Sequence, residues 1–241
     1  MDKAKDYIMK IKIFLDGANL EEILKHKDDD RIKGFTTNPS LMRKAGVKDY
    51  MEFAHRLADE IPKDKHVSLE VIADDFTEME RQAKKITSVS ENFYAKIPIT
   101  NTKGEPAHDL VRTLGDEGVK VNVTAIMTTT QLNDLGPFLS NTTPSVVSYF
   151  AGRVSDTGEP PVSAVLNAHT IFRDNSAVEF LWASCRHVYN VYEANSVGCN
   201  IITLSADILS KLKLKGKSLT EYSLETVKGF YKDAVAANYS L

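Results

Sequence analysis

The chain has 241 residues, of which 42% are hydrophobic and 26% charged, and its 30 Lys+Arg against 33 Asp+Glu give a net charge of −3. This composition excludes a disordered or fibrous chain, and the absence of a basic excess argues against nucleic acid as a partner. Two cysteines without a CxxC pair, Cys185 and Cys199, favour a reducing compartment. Charged residues interrupt the apolar ones over residues 1–16, and no run of about 18 apolar residues occurs. We therefore expect a cytoplasmic protein without a membrane partner.

Eight short apolar or β-branched segments recur along the chain, separated by segments with helical periodicity. They start near Lys12, Gly34, Val67, Phe93, Val119, Ser145, Val178 and Cys199. The spacings are close to the roughly 30 residues that one strand–helix unit needs, and no linker rich in Pro, Gly or Ser interrupts the series. Near-continuous apolar strands of this kind are typical of a parallel sheet covered by helices. The count of eight predicts an α/β fold with one (β/α)8 TIM barrel domain over residues 1–241.

Three segments outside the predicted strands have a helical pattern. Residues 50–61 and 76–86 carry apolar residues at three- and four-residue spacing, which predicts amphipathic helices. Residues from about 221 to 238 predict an additional C-terminal helix. Its apolar side chains, among them Phe230 and Tyr231, would suit docking on its own barrel or on a neighbour's, so a homo-oligomer is one expectation.

Four polar residues, Asp16, Glu70, Lys96 and Thr124, lie towards the carboxyl ends of otherwise apolar predicted strands. Barrel enzymes hold their chemistry at that end. Burying a charged group without a partner costs several kcal/mol, so three ionisable residues on inner strands indicate a catalytic site. A structural ion pair at the barrel mouth is the alternative.

Lys96 is the sharpest of these signals because it lies in mid-strand between Ala95 and Ile97. Desolvation there is expected to lower its pKa, and a neutral lysine amine can attack a carbonyl to form a Schiff base. Asp16 and Glu70 could supply the proton transfers that this chemistry needs. A strand lysine that only extends its ammonium into solvent is the alternative.

The segment GFTTNPS (34–40) reads as a strand followed by a turn, with Ser40 as the expected cap of the next helix. Thr36, Thr37 and Asn38 are grouped at the strand end, which would suit hydrogen bonding to a polyhydroxylated ligand. Turn formation alone is the other interpretation.

Two later segments, SYFAGR (148–153) and ASCR (183–186), each combine a serine with an arginine after a predicted strand. Phosphate sites of such barrels lie among the late loops, and arginine forks match phosphate oxygens. The pattern favours binding of an anionic group by Arg153 and Arg186, and ordinary surface arginines are the alternative.

Neither a metal nor a cofactor is predicted. The six histidines are scattered without the i, i+3 or i+4 pairing of a metal site. The glycine-containing segments have no dinucleotide or phosphate-loop pattern.

Five segments occur in a fixed order: TTNPSL (36–41), Lys96 in YAKIPIT, NVTAI (122–126), SYFAGR and ASCR. Together they resemble the transaldolases, which are (β/α)8 enzymes of the class I aldolase type. The resemblance covers about residues 12–210. TTNPS with a downstream KIP lysine is also similar to the signature of the related fructose-6-phosphate aldolases.

The resemblance implies that Lys96 forms the Schiff base and that Asp16 handles the hydroxyl proton during cleavage and formation of the carbon–carbon bond. It implies that Glu70 and Thr124 hold a water between them and shuttle protons during imine formation and hydrolysis.

The resemblance also implies two sets of substrate-binding residues. The residues matching those that hold the dihydroxyacetone unit are Asn38, Asn122 and Ser148. The residues matching those that hold the terminal phosphate are Arg153, Ser184 and Arg186.

The implied activity is transfer of a dihydroxyacetone unit, without a cofactor, in the pentose phosphate pathway. The donor would be fructose 6-phosphate or sedoheptulose 7-phosphate, and the acceptor erythrose 4-phosphate or glyceraldehyde 3-phosphate. Glu70 and Phe150 resemble transaldolases, whereas the aldolases carry glutamine and tyrosine there. Tyr149 and Cys185 depart from the usual proline and phenylalanine, which leaves the acceptor and the terminal anion open. An aldolase releasing free dihydroxyacetone and a catalytically silent sugar-phosphate-binding barrel are the rival hypotheses.

Overall fold

The computed structural model describes residues 9–239. The chain falls into two compact units, one ending at Leu209 and the other beginning at Ser210. Among the described helices, none is both long enough and apolar enough to cross a membrane.

The first unit contains eight parallel strands that close into a barrel in sequence order, with β1 paired to β8. The strands are β1 (Lys12–Asp16), β2 (Ile32–Thr36), β3 (His66–Glu70), β4 (Phe93–Pro98), β5 (Val121–Ile126), β6 (Ser145–Tyr149), β7 (Val178–Trp182) and β8 (Ile201–Leu204). This closed sheet with surrounding helices confirms the predicted (β/α)8 TIM barrel, and every strand begins within two residues of its predicted start.

Helices follow the strands in the order expected for such a barrel. They are α1 (Leu20–Lys25), α2 (Pro39–Lys44), α3 (Tyr50–Glu60), α4 (Phe76–Thr87), α5 (His108–Asp116), α6 (Thr129–Leu135), α7 (Ala151–Asp156), α8 (Val162–Ile171), α9 (Tyr189–Ser196) and α10 (Ala206–Lys211). The two amphipathic helices predicted from periodicity correspond to α3 and α4. Asp49 and Asp75 cap their amino ends by accepting hydrogen bonds from the backbone N–H groups of Glu52 and Glu78.

Alternation along the strands decides which side chains face the barrel interior. Side chains of every second residue face the same side of a strand. A buried cluster is formed by Phe14, Val146, Leu181 and Ile201. Each is the last or the second-last inward-facing residue of its strand, counted towards the carboxyl end. This parity brings the polar residues that follow them to the open end of the barrel.

The second unit contains the helix α11 (Leu219–Ala236), which begins at the cap Ser218. The predicted C-terminal helix of about 221–238 corresponds to it. Its apolar side chains are exposed, with Phe230 71% and Tyr231 74% accessible. The expectation that residues 1–241 form one domain stays a prediction.

Candidate active site

A cavity of about 370 Å³ opens at the carboxyl ends of the barrel strands, a size typical of small-molecule sites. Most of the predicted site residues line this cavity: Asp16, Asn38, Lys96, Thr124, Ser148, Phe150, Arg153, Ser184 and Arg186. The others each contact a residue of the cavity wall: Thr37, Glu70 and Asn122. Residues from seven of the predicted segments are therefore brought to one place.

Lys96 is buried, with 6% of its side chain exposed, and its Nζ has two partners. Its Nζ lies 3.0 Å from Glu70 Oε2 and donates a hydrogen bond of 2.6 Å to the backbone oxygen of Thr37. Glu70 is the residue paired with Lys96 across β3 and β4. The ammonium therefore has a counter-charge and a carbonyl acceptor, and it does not extend into solvent.

Asp16 ends β1 and accepts a 2.7 Å hydrogen bond from the Thr36 hydroxyl. Because that hydroxyl has one proton, the Thr203 hydroxyl, 2.7 Å away, is the donor in the next hydrogen bond. Burial raises the pKa of Asp16, and the positive charge of Lys96 and the Thr36 hydrogen bond offset part of this effect. The carboxyl thus binds a proton more readily than an exposed aspartate would.

Thr124 sits beside an irregularity in β5. The strand's pairing with β6 shifts between Val123 and Ile126, and Ala125 adopts a φ of 63°, which is rare for a residue with a side chain. A bulge of this kind re-aims side chains near active sites. The Thr124 hydroxyl is buried and has no hydrogen-bond partner within residues 9–239, and it lines the cavity.

Ser148 and Asn122 face each other across β6 and β5. The Ser148 hydroxyl donates a 2.7 Å hydrogen bond to Asn122 Oδ1. Both side chains are buried, so this bond orders two polar groups at the inner end of the cavity.

Asn38, and not Ser40, caps the helix α2. Its Oδ1 accepts a 3.0 Å hydrogen bond from the backbone N–H of Leu41, and Pro39 occupies the first helical position, which it favours because its missing N–H costs nothing there. The expected cap at Ser40 is therefore wrong. Since the Asn38 oxygen is used by the helix, its amide nitrogen is the group free to face the cavity.

Close backbone contact brings the two late loops together. A Cβ at Gly152 would lie 1.6 Å from the backbone oxygen of Ser184, so only glycine fits at the start of α7. Ser184 itself has a φ of 64°. This contact places Arg153 of α7 and the Ser184–Arg186 loop at the same edge of the cavity.

The two arginines at this edge have different partners. Arg186 donates from Nε to Asp156 at 3.0 Å, and its Nη2 also bonds to that carboxylate, leaving Nη1 free of this ion pair. The Arg153 guanidinium lies 5.1 Å from the centre of the Phe150 ring, within the range of a cation–π contact. Arg153 is thus oriented by an aromatic face, whereas Arg186 is oriented by a carboxylate.

Sequence reasoning did not assign two groups that the structure brings into the site, Thr203 and Asp156. Thr203 lines the cavity beside Thr36, the threonine of the predicted group that contacts Asp16, and Asp156 holds Arg186. A threonine at the inward, carboxyl end of the eighth strand was the available signal for Thr203. The Asp156 contact had none, because it joins the end of α7 to the loop after β7. Residues 9–239 contain no cluster of three or more His, Cys, Asp or Glu side chains arranged for a metal ion.

The fold and the position of this cavity define a (β/α)8 barrel protein with a lysine–carboxylate site at the carboxyl ends of its strands, where barrel enzymes bind substrates. The model of the family described as Transaldolase/Fructose-6-phosphate aldolase matches residues 13–241. The chain belongs to this family.

Similar proteins support the assignment. The chain is 35% identical over 227 residues to a probable transaldolase of Nitrosopumilus maritimus, covering 92% of this chain and 94% of that protein. It is 32% identical over 225 residues to a probable transaldolase of Thermoanaerobacter sp., covering 93% and 98%.

Among solved structures, a mandelate racemase/muconate lactonizing enzyme-like protein from Rubrobacter xylanophilus has a TM-score of 0.57 at 12% identity. The match covers 86% of this chain and 56% of that one. At this identity the likeness concerns the barrel fold alone.

Proposed function

We propose that the protein is a transaldolase that transfers a dihydroxyacetone unit from a ketose phosphate to an aldose phosphate through a Schiff base at Lys96. Fructose 6-phosphate or sedoheptulose 7-phosphate would be the donor. The observation that carries the proposal is the buried Lys96 Nζ, 3.0 Å from a carboxylate of Glu70, within a cavity that Asp16 also lines. A barrel that only binds sugars would gain nothing from keeping these costly groups buried together.

In the first half-reaction, Lys96 Nζ gives up a proton and attacks the ketose carbonyl to form a carbinolamine. Loss of water from the carbinolamine yields the iminium and requires proton delivery to the departing hydroxyl. Glu70 is the acid and base for these transfers because its carboxylate contacts Nζ. The Thr124 hydroxyl in the cavity wall, which has no hydrogen-bond partner within residues 9–239, suits hydrogen bonding to the water that leaves and returns.

Cleavage of the C3–C4 bond follows when Asp16 takes the proton of the C4 hydroxyl, whose carbon lies two bonds from the iminium carbon C2 and becomes the aldehyde of the departing aldose. The bonding electrons move into the iminium, an aldose phosphate departs, and an enamine stays on Lys96. Addition of the acceptor aldehyde reverses these steps, with Asp16 returning the proton. The raised pKa of Asp16 favours its acceptance of the hydroxyl proton.

Substrate contacts divide between the two ends of the cavity. Asn38, Asn122 and Ser148 would hold the hydroxyls of the dihydroxyacetone unit. Arg153, Ser184 and Nη1 of Arg186, which takes no part in the ion pair with Asp156, would hold the terminal phosphate. Arginine donors form strong charge-assisted hydrogen bonds to phosphate oxygens.

Transfer, as opposed to aldol cleavage, requires the adduct on Lys96 to survive until the acceptor arrives. Phe150 lines the cavity under Arg153 and has no hydroxyl that could hold a hydrolytic water. The presence of phenylalanine at this position therefore favours transfer of the dihydroxyacetone unit over its release by an aldolase.

The decisive experiment is reduction of the Schiff base. The protein is mixed with fructose 6-phosphate, reduced with borohydride, and examined by intact mass and peptide mapping. We expect one dihydroxyacetone or ketose adduct on Lys96 and none in Lys96→Met, which replaces the amine with an apolar chain of similar length. Modification of another lysine, or no adduct with any ketose phosphate, would refute the mechanism.

The proposal includes self-association through α11, whose exposed apolar residues would pack on a second copy of the chain. Sedimentation of the protein and of a Phe230→Ser/Tyr231→Ser variant tests it, and a monomer in both cases would contradict it. The cytoplasmic location expected from the two cysteines also stays a prediction.

A further inference from the structure

A chain of hydrogen-bonded polar side chains runs through the barrel interior from the half-buried His66 at the amino end of β3 to the cavity. His66 Nε2 lies 2.5 Å from Ser68 Oγ, Asn122 Nδ2 donates to the same oxygen at 3.0 Å, and Ser148 donates to Asn122 Oδ1. Ser68 and Asn122 are fully buried. The mechanism described above uses Asn122 and Ser148 but gives His66 and Ser68 no role.

The directions of these hydrogen bonds are linked. Ser68 accepts from Asn122 Nδ2, so its single hydroxyl proton is available to His66 Nε2. That arrangement requires Nε2 to be an acceptor, with the ring proton on Nδ1. If Nε2 carried the proton and donated to Ser68, the Ser68 oxygen would accept from both His66 and Asn122, and its own buried proton would have no acceptor within residues 9–239. That proton would gain an acceptor if the Asn122 amide turned its oxygen towards Ser68 and away from Ser148.

The orientation of Asn122 sets the polarity of the site at Ser148. When Asn122 Oδ1 faces Ser148, the Ser148 hydroxyl donates its proton to that oxygen. The lone pairs of the Ser148 oxygen then face the cavity as acceptors. With the amide reversed, Asn122 would donate to Ser148, whose proton would then face the cavity. The two states therefore differ in whether Ser148 can accept a hydrogen bond from a substrate hydroxyl without competition.

The imidazole ring is held firmly. It stacks on Tyr94 with ring centres 3.8 Å apart and contacts Phe14 at 4.9 Å. A Cβ at Gly34 would lie 2.9 Å from the His66 Cβ and 2.8 Å from the Phe14 ring, so the glycine makes room for both rings. Burial lowers the pKa of His66 to about 3, and the charges of Lys12 and Lys120 add to this effect. The ring is thus neutral at neutral pH.

We propose that His66 is a positioning residue: by accepting the Ser68 proton, it holds the Asn122 amide so that Ser148 presents an acceptor to a hydroxyl of the bound dihydroxyacetone unit. This inference rests on the proposed function. It assigns substrate discrimination to a residue at the amino end of β3, whereas the reacting lysine lies on the neighbouring strand β4.

The test compares two ketones that differ in one hydroxyl. Borohydride trapping at Lys96 is measured as a function of concentration for dihydroxyacetone and for hydroxyacetone. We expect His66→Phe, which keeps a ring in the stack but removes the acceptor, to reduce the preference for dihydroxyacetone about 3- to 10-fold, the effect of losing one hydrogen bond. His66→Gln, whose side-chain oxygen can accept from Ser68, should restore most of the preference.

A double-variant comparison separates positioning from general damage. Ser68→Ala should reduce the preference as His66→Phe does, and combining the two should add nothing to Ser68→Ala. Tyr94→Phe keeps the stacked ring and leaves the chain of hydrogen bonds intact, so it should retain the wild-type preference. If His66→Phe fails to fold, Ser68→Ala and His66→Gln still provide the comparison.

Two results would overturn the inference. An unchanged preference for dihydroxyacetone in both His66→Phe and Ser68→Ala refutes the inference but not the proposed function, because the wild-type protein would still form the trapped adduct at Lys96. Failure of the wild-type protein to form an adduct with any ketose refutes the proposed function and this inference with it.

Discussion

Glu70 and Lys96 are directly paired residues on neighbouring strands, and their charged groups lie 3.0 Å apart inside the barrel. Their side chains share one face of strands about 4.8 Å apart, so each charge has the other as its partner. The pairing explains how a lysine can be buried in mid-strand, and it puts a carboxylate within proton-transfer distance of the proposed nucleophile.

Glu70→Gln should slow both adduct formation and turnover, because an amide cannot accept and return the proton that imine chemistry moves. The expected loss is about 10²- to 10⁴-fold, typical of removing a general acid–base group, and it is measured as the rate of borohydride trapping with fructose 6-phosphate. Glu91→Gln is the matched control, since Glu91 precedes β4 at the other end of the barrel. An undiminished trapping rate in Glu70→Gln would remove Glu70 from the mechanism.

Asp16→Asn should abolish carbon–carbon bond cleavage and stabilise the fold at neutral pH. The folded-state pKa of Asp16 is raised, chiefly by burial, so the ionised carboxylate opposes folding. The free energy of unfolding of the wild-type protein therefore falls as the pH rises from the unfolded-state pKa of Asp16 through its raised folded-state pKa. The amide has no charge and can still accept the Thr36 hydrogen bond.

Thermal unfolding of the two proteins at several pH values checks this prediction. Each kcal/mol gained should raise the Tm by roughly 2–4 °C in a chain of this size, and the gain should vanish at acidic pH, where both side chains are neutral. Asp174→Asn, at a 91% exposed carboxylate, should show no such gain. A lower Tm for Asp16→Asn at neutral pH would mean that burial does not dominate at this carboxyl.

Arg153→Ala and Arg186→Ala should each weaken the binding of phosphorylated substrates. A charge-assisted hydrogen bond contributes roughly 1.5–3 kcal/mol, so we expect KM for fructose 6-phosphate to rise about 10- to 100-fold, with much less change for unphosphorylated dihydroxyacetone. Arg173→Ala, at an arginine with 75% of its side chain exposed, is the control. Equal losses with both substrates would assign the two arginines a structural role.

Phe150→Tyr should shift the products from transfer towards free dihydroxyacetone. A hydroxyl at this position of the cavity wall would offer a donor and an acceptor that can hold a water near the imine. Coupled assays of dihydroxyacetone and of sedoheptulose 7-phosphate, with and without erythrose 4-phosphate, measure the partition. If the unmodified protein already releases dihydroxyacetone as fast as it transfers it, the aldolase hypothesis replaces the transferase.

Most of the fold could be predicted because its signals are local. Near-continuous apolar segments such as FYAKIPIT and helical spacing in residues 50–61 reflect burial of nearby side chains, which the order of residues alone reveals. The helix cap was misassigned to Ser40 because Asn38 and Ser40 are both good capping residues. The extended backbone of Asn38, with Pro39 in the first helical position, decides between them.

The sequence by itself determined the eightfold repeat, the barrel and the polar residues at its open end, since these follow from hydrophobic spacing and strand length. Only the tertiary structure decided the partners of those residues. The hydrogen bonds from Thr203 to Thr36 and from Thr36 to Asp16 exist because β1 pairs with both β2 and β8. The ion pair of Arg186 with Asp156 likewise joins the loop after β7 to the end of α7, 30 residues away in sequence. Such contacts depend on the register and closure of the sheet, which place residues distant in sequence within hydrogen-bond range.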